Sequence, residues 1–195
     1  GTEEDWDRFF GLVSEGWTGG VDTLPMGDAV LAMGLSLLGT PYVPGTLEVA
    51  GTEDVVVNLQ GLDCVTLVEN ALAMARFLKT EEPEILRREA EAKGRYRQMF
   101  GEIRYRGGGV DGYASRLHYF SDWIRDNEAK GIVEELTSRL GGEEDLEGID
   151  FMTRHPAAYR QLQDPGNLMA MKAIEEELSG EIRYRAAAPR RSGAS

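Results

Sequence analysis

The sequence predicts an α+β fold that is predominantly helical, with only a few short strands. Two patterns point to it. After Cys64, apolar residues recur at Val65, Val68, Leu72, Ala75 and Leu78, steps of three and four that mark one buried helix face. Elsewhere the chain lacks long runs of alternating polar and apolar residues, so no large sheet is expected. A length of 195 residues suits one domain with a sizeable core.

Taken in order, residues 6–17 carry Trp6, Phe9, Phe10 and Val13 at helical spacing, and Gly19-Gly20 ends that helix. A second helix is predicted over 26–38, with Val30, Leu31, Leu35 and Leu38 on its apolar face and Gly39 as the stop. Pro41 and Pro44 force the next stretch to be extended or turned. Val55-Val56-Val57 is β-branched and predicts a short strand leading to the cysteine turn. After the Cys64 helix comes a charged helix over about 82–99, whose mixed signs suit a solvated face. Ile103 to Arg106 alternates like a strand, and Gly107-Gly108-Gly109 breaks it. The aromatic stretch 115–124 reads as a helix with Leu117, Phe120 and Ile124 on one side, and Ile132-Val133 as a strand or extended segment. An acidic helix is expected around 168–178. Residues 1–182 read as a single domain and 183–195 as a disordered tail, small, basic and Pro-containing from Ala186 onward.

Composition narrows the function classes. A net charge of -13 argues against a nucleic-acid or anionic-membrane partner. No apolar run is long enough to span a bilayer. One cysteine gives no internal disulfide, and with only two separated histidines there is no metal-ligand spacing, so no metal and no cofactor are expected. Gly107-Gly108-Gly109 lacks the Lys-Ser/Thr of a phosphate-binding loop.

Cys64 is the residue with the clearest chemical potential. Asp63 is a natural N-cap, which puts Cys64 at the first helical position, where free N–H groups and the helix dipole favour a thiolate nucleophile. The same position also suits a small buried hydrophobe that opens a core helix. Glu48 and Glu69 lie close to Cys64 along the chain, and the sequence leaves their roles open.

Four motifs in order resemble a known family. Gly39-Thr40-Pro41-Tyr42 followed by Leu62-Asp63-Cys64-Val65 resembles the pattern of NlpC-type, papain-like cell-wall cysteine amidases and peptidases. With Arg116 to Trp123 and Phe151-Met152-Thr153-Arg154-His155-Pro156 added, the chain resembles the N-acetylmuramoyl-L-alanine amidase-like branch from about residue 26 to 182. The resemblance implies the front half of a papain-like fold and hydrolysis of the amide between N-acetylmuramic acid and L-alanine in peptidoglycan fragments. Cys64 matches the nucleophile. Tyr42 matches a tyrosine whose hydroxyl lies near it and can polarise the carbonyl; a packed aromatic after Pro41 is the alternative. Arg116, His118, Tyr119 and Trp123 would line the substrate cleft, although His118 and Trp123 also fit a packing seam and the core. His155 reads as a local structural contact. A periplasmic or extracellular location is implied by the family alone, since this chain shows no signal peptide.

One departure shapes the expectation. The family's base histidine lies on a strand further downstream, and neither His118 nor His155 occupies its position. The domain thus reads as C-terminally incomplete, with doubtful activity, and His118 as replacement base is the minor alternative. With most of the sheet missing, the Cys64 helix stripe must pack on the other helices or stay partly exposed; exposure would forfeit about 1.5–3 kcal/mol per large side chain and favour self-association. Two readings remain open: a cysteine amidase, and a non-catalytic remnant or muropeptide-binding module.

Overall fold

The computed structural model describes residues 1–145, 147–181 and 183–185. Among these it has seven α-helices and two three-residue strands, so the predominantly helical expectation holds. The chain divides into two compact units, Gly1–Leu117 and His118–Ser195.

The first unit contains α1 (Glu3–Thr18), α2 (Met26–Ser36), α3 (Cys64–Thr80) and α4 (Glu89–Arg104). Helix α3 is central and packs against the other three. Its stripe is open near the start and closed further on: Val65 is half-buried and Val68 exposed, whereas Leu72, Ala75 and Leu78 are buried. Helix α1 approaches α3 closely because Gly16 has no side chain; a Cβ there would stand 2.7 Å from Leu78 Cδ1. An aromatic cluster joins the helices. Phe9 stacks on Tyr96 at 4.1 Å, and Phe77 and Phe100 meet these rings edge-on.

Several local expectations change. Helix α2 and the two residues after it bury Ala29, Met33 and Leu37, leaving Leu31, Leu35 and Leu38 exposed. The helix is apolar nearly all round, so its pattern could not choose the inward stripe. The charged stretch splits at Arg88 into a 3₁₀ segment, Pro83–Arg87, and α4, which buries Ala92, Tyr96, Phe100 and Ile103. The predicted strand at 103–106 is the last turn of α4 followed by an isolated bridge between Tyr105 and Arg116. Ile132-Val133 is no strand either: both amides donate to Asn127 O just past the helix end.

Val55-Val56-Val57 forms no strand ladder, yet Val55, Val57 and Leu59 are buried in alternation. Side chains take the place of a neighbouring strand. Arg97 donates to Val55 O (2.9 Å), Arg104 to Val56 O (2.5 Å), Asn70 to Asn58 O (3.3 Å) and Arg8 to Leu59 O (2.5 Å), while Leu59 N donates to Asp5 (2.8 Å). Buried backbone groups need partners, and here three helices supply them.

The second unit contains α5 (Phe120–Ala129), β1 (Glu143–Asp145), α6 (Phe151–Arg154), α7 (Pro165–Ser179) and β2 (Arg183–Arg185). β1 and β2 pair antiparallel, Glu144 opposite Tyr184. Residues 183–185, expected to open a disordered tail, are therefore a strand. The remainder of that expected tail, 186–195, lies outside the described residues. The 115–124 stretch becomes helical only from Phe120, and Trp123 rather than Phe120 points into the core.

Candidate functional site

Cys64 occupies the first turn of α3, as its neighbours dictate. Asp63 has extended backbone and its Oδ1 accepts from Thr66 N at 2.8 Å, while Asp63 N donates to Thr66 Oγ1 at 2.8 Å. This reciprocal capping box fixes the entry angle of the helix and leaves the Cys64 thiol exposed.

The approach to the cysteine is equally constrained. Asn58 Oδ1 accepts from Gln60 N and Gly61 N, turning the chain. Leu62 N then donates to Pro41 O, and Val43 N to Leu62 O, both at 3.0 Å. This short parallel bridge sets the Tyr42 backbone beside the residue two before Cys64. Arg8 ties the two segments together from α1, donating to Leu59 O and to Thr40 Oγ1 (2.7 Å). The G-T-P-Y and L-D-C-V motifs, twenty residues apart in the chain, are thus adjacent in space.

Between them runs a groove of about 350 Å³ lined mainly by apolar side chains, including Leu37, Leu38, Tyr42, Leu62, Cys64 and Leu67. Tyr42 is 71% exposed, so it stands at the groove as an open side chain rather than a packed core aromatic. Exposed Leu31 and Leu35 on α2 extend the apolar surface.

The two carboxylates left open by the sequence each pair with an arginine. Glu69 is buried and pairs with buried Arg104, 2.7–2.8 Å apart, and Arg104 also lies 4.5 Å over the Phe100 ring. Glu48 pairs with Arg116. Arg116 is only 4% exposed; it donates to Leu47 O (2.7 Å) and Glu48 and lies over the Tyr113 ring, holding the 44–54 loop. Asn70 on α3 accepts from Tyr96 OH at 3.1 Å, and burial pushes the Tyr96 hydroxyl upward so that it stays a donor.

In the second unit, the other two motifs meet at a residue that the sequence did not single out, Glu175 of α7. Its buried carboxylate accepts from Tyr119 OH (2.5 Å), Met152 N and Thr153 N (both 3.1 Å) and the Thr153 hydroxyl. Tyr119 is thereby committed to an internal network, and burial with the adjacent Glu175 pushes its hydroxyl upward. Trp123 is 4% exposed and stacks with Phe120, whose centroid is 5.7 Å away. Asp122 is buried and pairs with Arg125. His118 is half-buried at the start of this unit. His155 makes the local contact expected of it: Nδ1 is 2.8 Å from the accepting Phe151 O, and its ring packs on Phe151. No group of three or more His, Cys, Asp or Glu able to hold a metal occurs among the described residues, and no described helix is long and apolar enough to cross a membrane.

The class of protein is thus a helical scaffold on which the one cysteine, exposed, opens a capped helix beside an apolar groove. The family model described as AmiA-like, N-acetylmuramoyl-L-alanine amidase-like, matches residues 32–188, and the chain belongs to that family. It is similar to crystal structures of an N-acetylmuramoyl-L-alanine amidase from Bacteroides uniformis ATCC 8492, at 36% identity and a TM-score of 0.71, covering 82% of this chain and 63% of that one. A Bacteroides fragilis structure named provisionally as a xylanase is similar at 37% identity and a TM-score of 0.66, covering 77% of this chain and 63% of that one. The chain therefore spans less than two thirds of the length of these structures. No curated protein matches it.

Proposed function

We propose that this chain carries the nucleophile-bearing front part of a papain-like, NlpC-type amidase that hydrolyses the bond between N-acetylmuramic acid and L-alanine in peptidoglycan fragments. The observation that supports it most is the placement of exposed Cys64 in the first turn of a capped helix, beside the groove that Tyr42 also lines. The thiolate attacks the lactyl carbonyl carbon, the C–N bond breaks, and the L-alanine amine leaves with a proton. Water then cleaves the thioester and regenerates the thiol. Tyr42, open at the groove, polarises the carbonyl. His118, Tyr119 and Trp123 belong to the substrate-cleft side of the reading, with Tyr119 and Trp123 acting through packing. Arg116 acts by ordering the loop that follows Tyr42.

The site of action is the periplasm or the cell exterior, where the substrate is. The exposed row Leu31, Leu35 and Leu38 gives a face for self-association, which sedimentation across a concentration series checks.

The test is release of free L-alanine amine groups from muramoyl peptides by the purified chain. Turnover abolished by Cys64→Ala supports the amidase reading, and turnover that survives it overturns the assignment. General acid–base help is typically worth about 10²–10⁴-fold, so a loss of that size in His118→Ala would make His118 the base. Binding of muramoyl peptides with no turnover gives the second reading, a muropeptide-binding module, which the motif match equally supports.

A further inference from the structure

Counting charges inside the first unit leaves a surplus. Buried Arg104 and Arg116 face three carboxylates, Glu48, Glu53 and Glu69. Glu69 neutralises Arg104. Arg116 is left between two carboxylates, with Glu48 on a terminal nitrogen and Glu53 Oε1 at 3.6 Å from Nε. The remaining donors reach the same oxygens: Tyr113 OH donates to Glu48 Oε1 (3.1 Å) and Tyr105 OH to Glu53 Oε1 (2.9 Å). Glu48 Oε2 and Glu53 Oε2 are both buried without a hydrogen-bond partner, and Glu53 is only 7% exposed. An ionised carboxylate oxygen left so is costly. Both orphan atoms are acceptors, and a single proton turns one of them into a donor.

We propose that Glu53 keeps a proton beside Glu48 and Arg116, and that this proton locks the 44–54 loop bordering Tyr42; the loop loosens when the proton is lost. The groups facing the pair are Arg116, Arg104, Tyr105 and Tyr113; neighbouring Asp54 is paired instead with Arg97. Burial raises the Glu53 carboxyl above its ordinary value and the Glu48 charge adds to that, against Arg116, the Tyr105 hydrogen bond and Arg104. Burial also raises both tyrosine hydroxyls, which therefore stay donors throughout. The sign follows from linkage. A carboxyl raised in the folded state contributes stability that is full below its unfolded value and is lost as pH rises through the folded one. The locked loop thus belongs to the acid side and the loosened loop to the alkaline side.

The proposal is independent of the amidase reading, and its readouts use no turnover. Carbon-13 titration of the glutamate carboxyls in the intact chain should show one resonance titrating above the ordinary range, absent in Glu53→Gln. Amide exchange in residues 44–54, corrected for intrinsic rate, should lose about tenfold protection between about pH 5 and pH 8 in the wild type. Glu53→Gln, an uncharged isostere, should keep the loop protected at both pH values. The proposal is overturned if every glutamate titrates normally, if wild-type protection is flat with pH, or if Glu53→Gln retains the wild-type dependence. Should Glu53→Gln fail to fold, Glu48→Gln serves: with the like charge gone, the raised resonance must move toward the ordinary range.

Discussion

Val43 packs directly against the backbone of Gly61, so a Cβ built at Gly61 would lie 2.6 Å from Val43 Cγ2 and 2.9 Å from Val43 Cβ. The second distance matters more, because rotating the valine side chain cannot relieve it. The contact sits beside the two backbone hydrogen bonds that hold Tyr42 next to the Cys64 turn.

Gly61→Ala should therefore pry the Tyr42 segment away from the cysteine. The expected loss is about 1–3 kcal/mol, the usual range for inserting a methyl group into a packed contact. Urea unfolding measures it. Adding Val43→Ala should restore only part, since the valine Cβ remains, and full restoration would show that the γ-methyls alone make the clash.

Glu69 and Arg104 are the only ion pair among the described residues with both side chains almost wholly buried and in direct contact below 3 Å. Glu69→Ala leaves a buried guanidinium without its counter-ion and should cost about 3–5 kcal/mol. Arg104 also serves Val56 O, so Arg104→Ala removes a partner of the unladdered 55–59 segment as well. Thermal unfolding of both variants tests the ranking, with Arg104→Ala at least as destabilising as Glu69→Ala.

In the second unit, Glu175→Ala removes the acceptor of two backbone amides and two hydroxyls. Leaving a buried donor unsatisfied costs about 1–3 kcal/mol, so amide exchange at Thr153 should accelerate by at least about tenfold, and less at Met152, whose amide also donates to the Tyr119 hydroxyl at 2.9 Å. Glu175→Gln keeps an acceptor oxygen and should fall between the wild type and the alanine variant. Unchanged exchange in Glu175→Ala would remove Glu175 from the centre of this network.

What the sequence determined by itself is local. Asp63, Cys64 and Thr66 specify where α3 begins because a cap needs only neighbours three residues apart, and Leu72, Ala75 and Leu78 specify its buried side because helical spacing is a short-range property. The order of the four motifs sufficed to identify the family. What only the tertiary structure decided involves partners far apart in the chain. Residues 55–59 resemble a strand, but side chains as far away as Asp5 and Arg104 satisfy their backbone, so no ladder forms. The apolar α2 could have turned several faces inward; packing against α3 selected Ala29, Met33 and Leu37. The motif containing Arg116 and Tyr119 did not record that both side chains tie to carboxylates far away in the chain, Glu48 and Glu175, 68 and 56 residues distant. A buried charge or hydroxyl goes where its partner is, and no spacing rule in one sequence records that position.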